Sequence, residues 1–301
     1  MTAFLSSKGC CVHVTHDRAV GDDGRCWSTV AGLSLIHLAA AAGVVWIIVN
    51  PSIPTLALAG LFYAAGGISV TAGYHRLFAH RTYRPAAVVR WALLAFGAAT
   101  FQNSALSWSA DHRAHHAETD GSGDPHAVTR GAWHAHMGWL FRRREASADV
   151  TRLSDLWAVR SIRLQHQFYP VVAIGLGLVV PTAIAAQWGD PWGGLLVAGF
   201  LRAALLLQAT FCVNSLAHLI GVRRYDAHAS ARDSVITALV TFGEGYHSFH
   251  HRFPFDYRNG HHWWQYDPSK WLIWTLARLG LASKVRSASA ASIARAAMSS
   301  R

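Results

Sequence analysis

Long apolar stretches alternate with polar, histidine-bearing ones along the 301-residue chain. Residues 28–49 hold one histidine and no formal charge over 22 positions, enough to cross a hydrocarbon layer of about 30 Å at 1.5 Å per helical residue. Asn50-Pro51-Ser52 and Pro54 make a tight connection to a second apolar run at 53–73. Its glycines would weaken a soluble helix but suit packed membrane helices. Residues 168–187 and 192–213 repeat the arrangement around a Trp188-Gly189-Asp190-Pro191 turn. The run 86–106 is too polar at its end to span and is expected to lie at the interface or re-enter. The pattern predicts an all-α integral membrane protein with four transmembrane helices in two hairpins. A helical cap, residues 74–167 and 214–286, would stand on one side. Residues 1–27 are expected to form a mobile tail without the apolar core of a signal peptide, and 287–301 a fraying one.

Charge settles the orientation of this pattern. Only 14% of residues are charged, well below the usual quarter of a soluble domain. The short connections 50–53 and 188–191 carry no Lys or Arg. Residues 1–27 carry 3, residues 74–167 carry 12 and residues 214–301 carry 11, which leaves Arg202 as the one remaining cation, inside a span. The positive-inside rule then places both termini and the cap in the cytosol. It also accounts for the net charge of +11 without a nucleic-acid partner. Arg202 is expected to snorkel or to face protein. Arginine outnumbers lysine 24 to 3, which points to a GC-rich bacterial genome and hence to a bacterial cytoplasmic membrane.

The candidate chemistry lies in the polar stretches. His75 and His80 are spaced H-x-x-x-x-H; His112, His115 and His116 are spaced H-x-x-H-H, as are His247, His250 and His251. On a helix, positions i, i+3 and i+4 share one face, so each H-x-x-H-H aims three imidazoles the same way. The five-residue step rotates about 140° on an α-helix, so His75 and His80 are expected to diverge. Imidazole ligates Fe, Zn, Cu and Ni. The cysteines (Cys10, Cys11, Cys26 and Cys212) show no metal-ligand spacing, so the site rests on histidine. Eight histidines exceed the four ligands of one structural zinc, and two metals are the natural reading.

Four stretches carry a resemblance: GYHRLFAHRTY (73–83), FQNSALSWSADHRAHHAETDGSGDPH (101–126), FCVNSLAHLIGVRRYD (211–226) and GEGYHSFHHRFPFDYRNG (243–260). In order and spacing they resemble the membrane-bound fatty acid desaturases of the acyl-CoA delta-9 type. The resemblance implies a di-iron centre with nine ligands: His75, His80, His112, His115, His116, His218, His247, His250 and His251. His218 has no spacing signal of its own and is placed by its motif, NSLAH. Asn214 would hold a water at the metal. Gln102, Trp108, Asp111 and Thr210 would lie behind the ligands or along the acyl channel, and Arg143 and Arg144 would contact the CoA headgroup. The implied reaction is O2-dependent formation of a cis double bond in a saturated acyl chain held by CoA or another carrier. No b-type cytochrome domain is visible, so electrons are expected from a separate ferredoxin, flavoprotein reductase or b-type cytochrome. His126, His134, His136, His261 and His262 are expected not to be ligands. The spacer TDGSGDPH departs from the family's usual TDADPH or THADPH. A hydroxylase or ketolase with the same histidine boxes is the near alternative. A membrane metal-binding protein or transporter is the distant one.

Overall fold

The computed structural model describes residues 24–142 and 153–300. Among the described residues, four helices are long and apolar enough to cross a membrane. These are α1 (Trp27–Val49), α2 (Ile53–Ala79), α7 (Tyr169–Trp188) and α8 (Pro191–Leu219), with α3 (Ala87–Ala98), α4 (Ala105–Ala117), α5 (Ala132–His136) and α6 (Arg160–Gln167) between the two hairpins. Past α8 come α9 (Val235–Val240), α10 (His247–Arg252), α11 (Pro268–Arg278) and α12 (Ala290–Ser299). Outward positions of the long helices, among them Leu38, Ile48, Ile53, Leu61 and Val171, are exposed and apolar, as lipid-facing positions should be.

The two short connections meet at one end. Asp190 accepts hydrogen bonds from Trp46 Nε1 (2.9 Å), Thr55 Oγ1 (2.6 Å) and the Gly193 amide (2.8 Å), which ties both hairpin turns together. The other ends of α2 and α8 run beyond the expected limits, to Ala79 and Leu219, and so carry His75 and His218 on the spans themselves. The apolar run 86–106 breaks into α3 and the start of α4. Phe101 and Asn103 take left-handed φ between them, and the Ser104 hydroxyl caps α4. β1 (Arg84–Pro85) pairs antiparallel with β2 (Ala282–Ser283), tying the start of α3 to the end of α11. The segment expected to fray holds α12, whose Ala296 and Ile293 pack on Tyr225, Phe249 and Phe253; its apolar stripe finds a partner in the cap.

Arg202 faces protein and does not snorkel. It is 2% exposed, and its guanidinium donates to the carbonyls of Ala198 (3.1 Å), Ala99 (2.7 Å) and Gly177 (2.8 Å). It thereby joins α8 to α7 and to the break after α3. Arg202→Met should leave the Ala99 and Gly177 carbonyls unsatisfied in an apolar region, at about 1–3 kcal/mol for each lost partner. Thermal unfolding in detergent should show a clearly lower midpoint, and an unchanged midpoint would refute the role given to this residue.

Candidate metal centre

The nine histidines named by motif converge at the ends of α2 and α8. They divide into His75, His80, His112, His116 and His250 on one side and His115, His218, His247 and His251 on the other. Each H-x-x-H-H therefore splits between the groups. On α4, His112 and His116 enter the first group and His115 the second. On α10, His247 and His251 enter the second and His250 the first.

His75 and His80 do not diverge. The end of α2, Ser69–Ala79, is wound as a π-helix, and the His80 amide donates to the His75 carbonyl (3.1 Å). Bonding from i to i+5 brings residues five apart back toward one face. Their ring centroids lie 4.9 Å apart.

Arg113 locks this geometry. It donates to the carbonyls of Phe78 and Ala79, both at 2.8 Å, and forks onto Asp155 with two contacts of 3.0 Å. It thus closes the end of α2 against α4 and sets His80 beside His112. The GEGYH turn that launches α10 depends on two glycines. Gly243 has a φ of +94°, and a Cβ on Gly245 would stand 2.1 Å from the Ala238 amide nitrogen. Asp233 accepts from the Phe249 amide (3.1 Å) and fixes the first turn of α10.

The nitrogen positions fit bound metals. Nε2 to Nε2 separations are 2.8 Å for His80–His112 and 2.9 Å for His75–His250 and His250–His116. In the second group they are 3.0 Å for His251–His247, 3.1 Å for His247–His218 and 3.2 Å for His115–His251. Metal–nitrogen bonds of about 2.0–2.1 Å at right angles put ligand nitrogens about 3 Å apart. Three of the outer ring nitrogens meet oxygen. His75 Nδ1 lies 2.7 Å from Glu244, His115 Nδ1 2.9 Å from Asp124 and His218 Nδ1 2.6 Å from the Ser230 hydroxyl. Such partners hold the proton on Nδ1 and turn the Nε2 lone pair inward. Glu244 stays ionised: burial acts to raise its pKa, but His75 and Arg76 outweigh it and hold the carboxyl below its usual range.

Among the described residues, the remaining histidines fall outside both groups. His136 is bound to Ser215 and Gln208 (both 2.9 Å), and His261 to Tyr225 (2.8 Å). His126 stacks on His115, at 4.3 Å between centroids, and shares Asp124 with it.

A cavity opens from the histidines between α2 and α8. His75, His112, His115 and His247 form its near wall, and Trp108, Thr210 and Asn214 border it. Gly67 and Leu206 also line it. They stand eight residues before His75 and twelve before His218, so the cavity follows the spans for about 12–18 Å at 1.5 Å per residue. Gln102 lies behind the lining; it accepts from Trp108 Nε1 (3.3 Å) and donates to Thr210 (3.0 Å). Asp111, half-buried beside His112, does not line the cavity. Arg143 and Arg144 lie outside the described residues.

Burial, reinforced by neighbouring imidazoles, pushes His80, His112, His115, His116, His247, His250 and His251 well below the ordinary 6.5. In a metal-free chain these bases bind protons more readily unfolded than folded, so the unfolded state gains protons first below about pH 6.5. Stability of the stripped protein should therefore fall as pH drops from 6.5 toward 5. Melting curves after chelation would show this as a steep acid limb, and a flat profile over that range would contradict it.

Fold and site together define a polytopic helical protein with two histidine groups, each able to hold a metal ion, at the mouth of an apolar cavity. The chain belongs to the fatty acid desaturase family, whose model matches residues 51–282. It is 46% identical over 226 residues to acyl-CoA desaturase 1 of Saccharomyces cerevisiae, covering 73% of this chain and 44% of that protein. It is 36% identical over 273 residues to stearoyl-CoA desaturase of Sus scrofa (89% of this chain, 76% of that protein). With stearoyl-CoA desaturase 5 of Homo sapiens it shares 37% identity over 266 residues (85% and 79%). The chain thus spans less than half of the yeast protein and about three quarters of the mammalian ones. These relatives are eukaryotic and lend no support to the bacterial origin expected from arginine content.

Proposed function

We propose that this chain desaturates a saturated fatty acyl chain, presented as its CoA thioester, in an O2-dependent reaction that forms a cis double bond at the delta-9 position. The observation that carries the reading is the cavity: an apolar slot that starts against both histidine groups and runs alongside two membrane spans. An acyl tail fits such a slot, whereas a hydrated metal ion in transit has no use for its apolar walls. The balance is one saturated CH2–CH2 unit, O2, two electrons and two protons giving one CH=CH unit and two waters.

Five histidines would hold one iron and four the other. When bound, the iron pair supplies with O2 the oxidising power that breaks unactivated C–H bonds, which acid–base side chains cannot do. The protein contributes position and dryness. Trp108 stacks over His112 at 22° and 4.9 Å, presenting a flat apolar wall beside the first group. Gln102 satisfies the Trp108 N–H and the Thr210 hydroxyl, so neither needs water from the slot. Asn214 stands one turn before His218 at the second group, suited to hold a water there. Arg143 and Arg144 would take the CoA phosphates. A ferredoxin, flavoprotein reductase or b-type cytochrome would supply the electrons. The cationic segments favour a cytosolic orientation for the histidine end.

The test is expression in a host that lacks its own desaturase, followed by fatty-acid analysis. The intact chain should yield a new cis-monounsaturated acid and His247→Ala should not. A hydroxy or keto acid in its place would overturn the desaturase reading.

A further inference from the structure

The spacer that departs from the family pattern, Thr119–His126, folds directly beneath the four-histidine group. Asp120 takes a left-handed φ of +65°, which turns its side chain back across the chain. Its Oδ1 accepts from the Ser230 hydroxyl (2.6 Å) and its Oδ2 from the Ser230 amide (2.9 Å). Ser230 is buried at 8% exposure, and its oxygen lies 2.6 Å from His218 Nδ1. A serine has one hydroxyl proton. Once that proton is given to Asp120, the oxygen offers His218 only a lone pair, so His218 must carry its proton on Nδ1. Its Nε2 is then the free donor atom facing His247.

The same loop serves His115. The Asp124 carboxylate touches His115 Nδ1 at 2.9 Å and is itself held by the amides of Asp120 (2.9 Å) and His126 (3.0 Å). We infer that Asp120, acting through Ser230, is a positioning residue for His218, and that the altered spacer is a two-carboxylate clamp specific to the four-histidine metal. This goes beyond the functional reading and rests on its metal centre. The first group draws on a different carboxylate, Glu244, from another segment. Loss of the clamp should therefore be felt at one metal and not at both.

The experiment is titration of chelator-stripped protein with Fe(II), read as bound iron and by calorimetry, for the intact chain, Asp120→Asn, Ser230→Ala and Ser230→Thr. The intact chain should bind two irons. Asp120→Asn keeps a hydrogen-bond acceptor but removes the charge, and Ser230→Ala removes the link. Each should weaken one iron about 10- to 100-fold, the range for lost outer hydrogen-bond partners of a metal ligand, and leave the other unchanged. Ser230→Thr retains the hydroxyl and should restore binding, which a mere packing role would not explain. Equal weakening of both irons, unchanged affinity in both variants, or Ser230→Thr failing like Ser230→Ala would each overturn the inference. An intact chain that binds no iron would instead remove the metal reading on which it stands.

Discussion

His218→Ala should abolish double-bond formation and reduce bound metal from two equivalents to about one. Four nitrogens make the second group, and His218 Nε2 stands 3.1 Å from that of His247. Removing one of four leaves a three-ligand site with an open flank, while the five-histidine group keeps all its members. The expected signature is selective: metal analysis near one equivalent, a fold that survives, and no unsaturated product above background, corresponding to a loss of at least about a thousandfold. Full metal content with retained activity would show that His218 lies outside the centre.

His218 also marks where sequence reasoning reaches its limit. The two H-x-x-H-H boxes were visible because helical periodicity makes neighbours of i, i+3 and i+4. The four spans were visible because a bilayer demands some twenty apolar residues in a row. A lone histidine at the end of a span has no periodic partner, and only the surrounding NSLAH motif revealed it. Spacing also misjudged His75 and His80, because the 140° step presumes α-helical winding and the end of α2 is a π-helix. How each box divides was beyond reach for a further reason. A face holding three imidazoles is a local property, but which metal each ring meets depends on how α4 and α10 approach one another. The carboxylates were missed altogether. Glu244, Asp124 and Asp120 lie near histidines in the sequence, yet their pairing is made by turns and by Ser230, more than a hundred residues from Asp120. α12 was underrated for the converse reason: an Ala/Ser-rich composition says little about a helix whose partner, the Tyr225–Phe253 cluster, is assembled only in three dimensions.

The largest effect on stability is expected at Arg76, beside His75. It is 1% exposed, and its guanidinium bonds Asp267 (2.8 Å), Glu244 (3.1 Å) and the Tyr257 carbonyl (3.0 Å). Both carboxylates are buried and both do other work. Asp267 caps α11 through the Lys270 amide (3.0 Å) and holds the amides of Asn259 (2.9 Å) and Gly260 (3.1 Å); Glu244 accepts from the Asn259 side chain (2.6 Å) and faces His75. Arg76→Met would leave two buried anions without their cation, and breaking one side of a buried ion pair costs about 3–5 kcal/mol. The loss should also reach the metal, because a Glu244 no longer shared with Arg76 would be free to leave His75. Arg76→Lys keeps the charge but not the fork, and should fall between the methionine variant and the native chain. Unfolding in detergent, paired with iron content, separates the two consequences: the methionine variant should melt lowest and lose iron from the five-histidine group first. If it melts with the native protein, then Asp267 and Glu244 are balanced by something other than Arg76, and the link from this buried network to His75 falls with it.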